Sequence, residues 1–130
     1  MIGLDTNVLI RYVVRDDAEQ TRLADELVDG FTTDSPGFVP VLVLVECWWV
    51  LDRAYSYPAD RRRAFVEALL ASQELRVDQA DTVRAALRAT HDGADLADAL
   101  IAVIALDAGC ERVMTFDRRA ARAAGMTQLA

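Results

Sequence analysis

Four carboxylates stand where an acid is hard to place. Asp5 follows a short apolar run, Ile2 to Leu4, and Asp117 follows another, Arg112 to Phe116. Glu46 is flanked by Leu44, Val45, Cys47, Trp48 and Trp49, and Asp98 lies within Leu96-Ala97-Asp98-Ala99-Leu100-Ile101-Ala102. A carboxylate against apolar surface is costly unless it is ion-paired, protonated or bound to a metal. Few arginines neighbour these positions in sequence, although folding could bring Arg11 or Arg118 to them. A hard divalent cation accounts for all four at once. Mg²⁺ and Mn²⁺ take oxygen ligands, commonly a few carboxylates completed by water and substrate phosphate. Asp95, one helical turn before Asp98, either caps that helix or faces the same site. The other acids, such as Asp16, Asp17 and Asp60, fall in polar stretches or at helix starts, where solvation and capping explain them.

The rest of the composition narrows the chemistry. All 14 basic residues are arginine, which excludes a P-loop lysine, a Schiff-base lysine and a Ser–Lys dyad. His91 is the only histidine, so a His-rich metal site is excluded, and its surroundings place it at a helix end. Cys47 and Cys110 lack CxxC spacing and read as buried thiols of a cytosolic protein. With 21 acidic residues the net charge is −7, so no generally cationic surface can hold a nucleic acid. Local positive potential remains available from Arg11, Arg15, Arg61-Arg62-Arg63 and Arg118-Arg119-Arg122. Arg118 and Arg119, beside Asp117, are best placed to meet a phosphate through a bidentate fork, whereas Arg61 to Arg63 read as a solvated helix face.

These residues need elements to position them. The chain has 130 residues and is 53% apolar, which fits one packed domain and excludes disorder. Short strands are expected at Ile2–Leu4, Phe38–Pro40, Leu75–Val77 and Arg112–Phe116, with an edge strand at Met126–Leu129. Helices are expected at Val8–Val14, capped by Thr6 or Asn7, and at Ala18–Val28, Val41–Tyr55, Ala59–Ala71, Ala80–Thr90 and Asp95–Ala108. A short one starts at Asp117. Alternation of this kind predicts a single three-layer α/β domain, with a short-stranded, mainly parallel central sheet flanked by helices. Its ligand site then lies beyond the carboxyl ends of the strands, with Asp5 and Asp117 on one rim. The longest apolar stretch, Phe38 to Val45, falls far short of the ~20 residues of a membrane span, and no targeting segment is visible. A soluble, cytoplasmic protein is expected. The aromatics Tyr12, Trp48, Trp49, Tyr55 and Tyr57 are more than one small core needs, and exposed ones would mark protein contacts.

Taken together, Asp5-Thr6-Asn7 after a short strand, the mid-helix Glu46, Asp95-Leu96-Ala97-Asp98 and Thr115-Phe116-Asp117-Arg118 resemble the four acidic motifs of PIN-domain ribonucleases. The resemblance runs from Met1 to Arg122 in the right order, and within that superfamily it is greatest to the VapC-type toxins of bacterial toxin–antitoxin pairs. It implies a Mg²⁺- or Mn²⁺-dependent endoribonuclease that leaves 5′-phosphate and 3′-hydroxyl ends. Carried over residue by residue, it makes Asp5, Glu46, Asp98 and Asp117 the metal-binding catalytic acids and Asp95 a further acid. Thr6, Asn7 and Thr115 become polar residues shaping the site. It also implies an RNA substrate, a homodimer and a cognate antitoxin. Three other readings compete. A phosphatase of the aspartyl-nucleophile type needs a second Asp two residues after the first, where Asn7 stands, and a lysine, which the chain lacks. A phospho-receiver domain has this size and architecture but requires a paired acid near the N-terminus and a late lysine, both missing here. A PIN-like domain retained only for binding RNA or protein would not require all four acids.

Overall fold

The first corner of the chain already sets an acid in place. Strand β1 (Ile2–Gly3) leads through Leu4 into helix α1 (Thr6–Val14), and Asp5 is the N-cap, its carboxylate accepting the Val8 backbone N–H at 3.1 Å. The expected caps, Thr6 and Asn7, instead lie inside the helix. A carboxylate reaches the N3 amide at least as well as a hydroxyl or amide and also suits the positive end of the helix dipole. The computed structural model describes residues 1–130 and resolves into two units, Met1–Asp78 and Gln79–Ala130.

In the first unit, β1 is joined by β2 (Gly37–Val39) and β3 (Leu75–Val77) in a parallel sheet of order β1-β2-β3, with Ile2 beside Gly37 and Val39 beside Val77. Parallel neighbours need crossover connections. Helices α1 and α2 (Ala18–Asp29) supply the first crossover, and α3 (Val41–Arg53) and α4 (Ala59–Ala71) supply the second. Asp17 caps α2 through the Gln20 amide, at 2.9 Å. A two-pronged pair between Arg15 and Asp25 (2.9 and 2.6 Å) ties the end of α1 to α2, and the guanidinium holds the Asp25 carboxyl below its ordinary range. Leu9, Val39, Leu44, Leu51 and Val66 are fully buried, as the helical spacing of Leu44, Trp48 and Leu51 predicts. Gly37 is needed for room. A Cβ there would lie 2.5 Å from the Phe31 ring and 3.0 Å from Leu75 Cδ2. Gly37→Ala is therefore expected to cost about 1–3 kcal/mol by overpacking, read as a lowered urea midpoint.

The second unit holds α5 (Ala80–Ala89), a 3₁₀ turn at Thr90–Asp92, α6 (Leu96–Asp107), β4 (Met114–Thr115), α7 (Arg118–Ala123) and β5 (Thr127–Gln128). Helices α5 and α6 pack together through residues that include Val83, Ala86, Leu96 and Ala99, all at most 1% exposed. Ala102, Ala120 and Met126 form a smaller cluster with Val113 and Ala124 against it. Gly93 (φ 94°) and Gly109 (φ 99°) take the left-handed turns on either side of α6. Here β4 and β5 are shorter than expected and pair with each other in parallel. The Val113 and Thr115 carbonyls accept from Thr127 and Leu129 at 2.8 and 2.7 Å. The expectation that Asp5 and Asp117 follow strands of one sheet is thus corrected, because β1 and β4 belong to different ladders. The fold class stands as mixed α/β with short parallel strands.

Candidate active site

Each unit gathers its own acids. In the first, Asp5 ends the β1 corner and Glu46 lies in the middle of α3, both exposed. Both charges act on the Cys47 thiol. That thiol is fully buried and is pushed up to about 12, first by burial and then by Glu46 and Asp5. Asp5 uses Oδ1 for the cap, and no side-chain partner engages its Oδ2 or the Glu46 carboxylate. Thr6 is half-buried and Asn7 exposed, directly after Asp5.

In the second unit Asp117 caps α7, its Oδ1 accepting the Arg119 and Ala120 amides at 2.7 and 3.3 Å. The Thr115 hydroxyl accepts the Asp117 N–H at 3.0 Å and so fixes the backbone that carries this acid. Asp98, in the first turn of α6, is half-buried. Its carboxyl is raised from its ordinary value of 3.8 by burial, then by the negative charges of Asp95 and Asp117, against an opposing pull from Arg119. Asp95 occupies the N-cap position of α6 without making a side-chain capping bond. Of its two open readings, local capping is therefore not the one its side chain adopts. Arg119 is anchored by donating from Nε to the Gly93 carbonyl at 2.9 Å, and Arg118 is exposed.

Several expectations are revised. The carboxylates described as embedded in apolar sequence are surface groups: Asp5, Glu46 and Asp117 are exposed and only Asp98 is partly covered. An apolar helix needs only one face against the core, and Glu46 lies on the other, along with Leu42 and Trp49, which are 73% and 61% exposed. None of the salt bridges includes one of the four acids or Asp95. Arg11, a potential partner, is taken by Asp16 (3.0 Å), Gln20 (2.6 Å) and the Tyr55 hydroxyl (3.2 Å). Cys110 is exposed, because it lies beyond the Gly109 turn and outside the helix. The arginine run of α4 is not simply solvated. Arg61 lies over the Tyr57 ring at 3.8 Å, and Arg62 lies over Trp48 at 4.4 Å while donating to the Tyr57 carbonyl.

A further feature was not legible from spacing. A cavity of ≈340 Å³ opens beside Asp5 and Asn7 between α1 and α2, and Arg11, Gln20 and Leu23 line it. It depends on how two helices pack, which no local pattern records.

The donor chemistry is uniform: carboxylate oxygens, with Oδ2 of Asp5 and of Asp117 left over from capping. Oxygen donors of this kind fit Mg²⁺ or Mn²⁺ rather than a soft metal. As the side chains stand, no three His, Cys, Asp or Glu residues form a cluster that could hold a metal ion. Mg²⁺ commonly uses only one or two carboxylates and keeps several waters. No helix is long and apolar enough to cross a membrane.

No curated protein matches the chain. The model of the PIN domain family does, over residues 2–126, a span that takes in both units and every acid described above. PIN domains are generally nucleases that use divalent metals. With that match across nearly its whole length, the chain belongs to the PIN domain family.

Proposed function

We propose that the protein is a Mg²⁺- or Mn²⁺-dependent endoribonuclease and the toxin of a toxin–antitoxin pair, its two units acting as one PIN domain in the cytoplasm. What supports this reading is the family match over residues 2–126 together with Asp98, whose carboxyl is raised by burial and then by the charges of Asp95 and Asp117, against a pull from Arg119. Like charges held together in a partly desolvated place oppose one another, and a bound cation relieves that repulsion. The resemblance of their motifs to the acidic motifs of PIN-domain ribonucleases adds Asp5 and Glu46 to the set.

Asp5, Glu46, Asp98 and Asp117, with Asp95, would hold the metal. When bound, it supplies an activated water at neutral pH and relieves charge on the phosphoryl and leaving oxygens. The chain's own residues do the positioning. Helix capping fixes the rotamers of Asp5 and Asp117 through Oδ1 and leaves the other oxygen available. Thr115 holds the backbone at Asp117, and Thr6 and Asn7 shape the corner after Asp5. Arg118 and Arg119 meet the RNA phosphates, Arg119 from a fixed stem. No histidine base is required, in keeping with His91 lying exposed in the 3₁₀ turn. Leu42 and Trp49 on α3 and Ile101 and Ile104 on α6 expose apolar surface suited to a second copy of the chain and to an antitoxin.

The test is RNA cleavage by the purified protein in Mg²⁺ or Mn²⁺. Excess EDTA is expected to reduce the rate to background, and added Mn²⁺ to restore it. Activity that persists in the chelator would refute the metal reading. RNA binding without cleavage in either metal would mark a domain retained for binding. Growth arrest on expression, relieved by a small protein encoded immediately upstream, tests the toxin role.

A further inference from the structure

Neither the core nor the acidic groups account for Phe116. It is the most exposed of the large apolar side chains, at 75%, although an aromatic ring gains free energy wherever it is covered. The only other exposed aromatic, Trp49, has Arg53 over its ring at 5.9 Å, whereas no cation lies over Phe116. Its backbone is held on both sides. The bond from the Asp117 N–H to the Thr115 hydroxyl (3.0 Å) closes across Phe116, and the Thr115 carbonyl accepts from Leu129 at 2.7 Å. Beyond it, the Asp117 carboxylate accepts the Arg119 and Ala120 amides. An open ring thus stands on fixed backbone, directly beside an acid of the candidate site.

The charge around this ring is the reverse of the chain's. Between Arg112 and Arg122 four arginines stand against one acid, Asp117, in a protein of net charge −7. Arg112, Arg118, Arg119 and Arg122 are all exposed, and none of them enters a salt bridge. An exposed ring among such cations is the combination that holds single-stranded nucleic acid: the cations follow the phosphates, and the ring takes the face of an unstacked base. Inside a duplex both faces of a base are already covered by its neighbours, so the ring has none to meet. Stacking of this kind is tolerant of sequence, because every base has a π-face.

We infer that Phe116 is a stacking platform for an unpaired base beside the phosphate that is cut, and that the RNA substrate is single-stranded there. This rests on the nuclease reading, since Asp117 marks where the cut falls.

Binding and cleavage test it separately. The first measurement titrates a short oligouridine, whose bases stack little on one another, into the metal-free protein at one fixed low salt concentration. The Phe116 ring protons are expected to move upfield, and Phe116→Leu to weaken binding by at least about fivefold. Phe116→Trp should bind at least as tightly as the wild type. Leucine keeps an apolar surface without a π-face, and so exposed a position tolerates either substitution, so the comparison reads stacking and not folding. A duplex RNA of the same length meets the arginines alone and should be indifferent to Phe116→Leu. In the second measurement, cleavage of the single strand in Mg²⁺, Phe116→Leu should raise KM by at least about fivefold and change kcat by less than about twofold. Equal oligouridine binding by Phe116→Leu and the wild type, a duplex as dependent on the ring as the single strand, or an unchanged KM would overturn the inference even if the nuclease is intact. So would a loss of self-association in Phe116→Leu with RNA binding intact, which would make the ring a contact between copies of the chain. Ring-dependent binding by a protein that cleaves no RNA would instead uphold the platform and overturn the nuclease reading.

Discussion

Replacing Asp98 by asparagine is expected to reduce RNA cleavage by at least 10²–10³-fold, the several kcal/mol that a lost metal contact withdraws from a phosphoryl-transfer transition state. The same variant should hold its metal-free melting temperature or raise it by a few degrees. Asparagine keeps the shape of the side chain but removes a charge that burial, Asp95 and Asp117 all oppose. The pH dependence follows from the direction of that shift. Asp98 is raised in the folded state, so its protonated form favours folding and its ionised form costs stability. The cost is absent below the ordinary value of 3.8, appears as pH rises through the folded value, and is complete above it. The advantage of Asp98→Asn over the wild type should accordingly be full at neutral pH and vanish below about pH 4. Were Asp98 instead half of a buried ion pair, its neutralisation would strand an arginine and cost about 3–5 kcal/mol. A variant that melts early yet keeps its nuclease rate would sink the assignment.

The second large effect separates two duties carried by the same atoms. Asp5→Asn and Asp117→Asn are expected to lose cleavage as fully as Asp98→Asn does, but to keep their folds, because asparagine caps a helix about as well as aspartate. Asp5→Ala and Asp117→Ala should be equally inactive and also less stable, by about 1 kcal/mol each and up to about 2. The greater loss is expected at Asp117. Its carboxylate serves two amides of α7, a helix of six residues that contributes Ala120 to the small cluster with Ala102 and Met126. Thermal melts of the four variants, set beside their single-turnover rates, check both halves. Alanine variants as stable as the asparagine ones would show that the caps contribute nothing. Active asparagine variants would remove both acids from the metal site.

The sequence by itself determined most of the elements and the acids worth examining. Helical periodicity and caps placed α2 to α6 within one or two residues, and the apolar spacing of α3 identified Leu44, Trp48 and Leu51 as core. These features are local, and local pattern is what sequence records. The acids stood out for a related reason: an acid directly after a strand, or one helical turn from another acid, is defined within a few residues. What lay beyond that range was decided by tertiary structure. Apolar neighbours of Glu46 did not reveal that its side of α3 would face solvent, and the isolated Cys110 gave no sign that a left-handed turn at Gly109 would leave it outside the helix. Arg11 is claimed by Asp16 and by Tyr55, 44 residues away, and no spacing rule anticipates that pairing. The separate β4–β5 ladder arises in the same way, since a two-residue strand carries too little pattern to name its partner. Local propensity chose the elements, and long-range packing chose which faces are buried and which side chains meet.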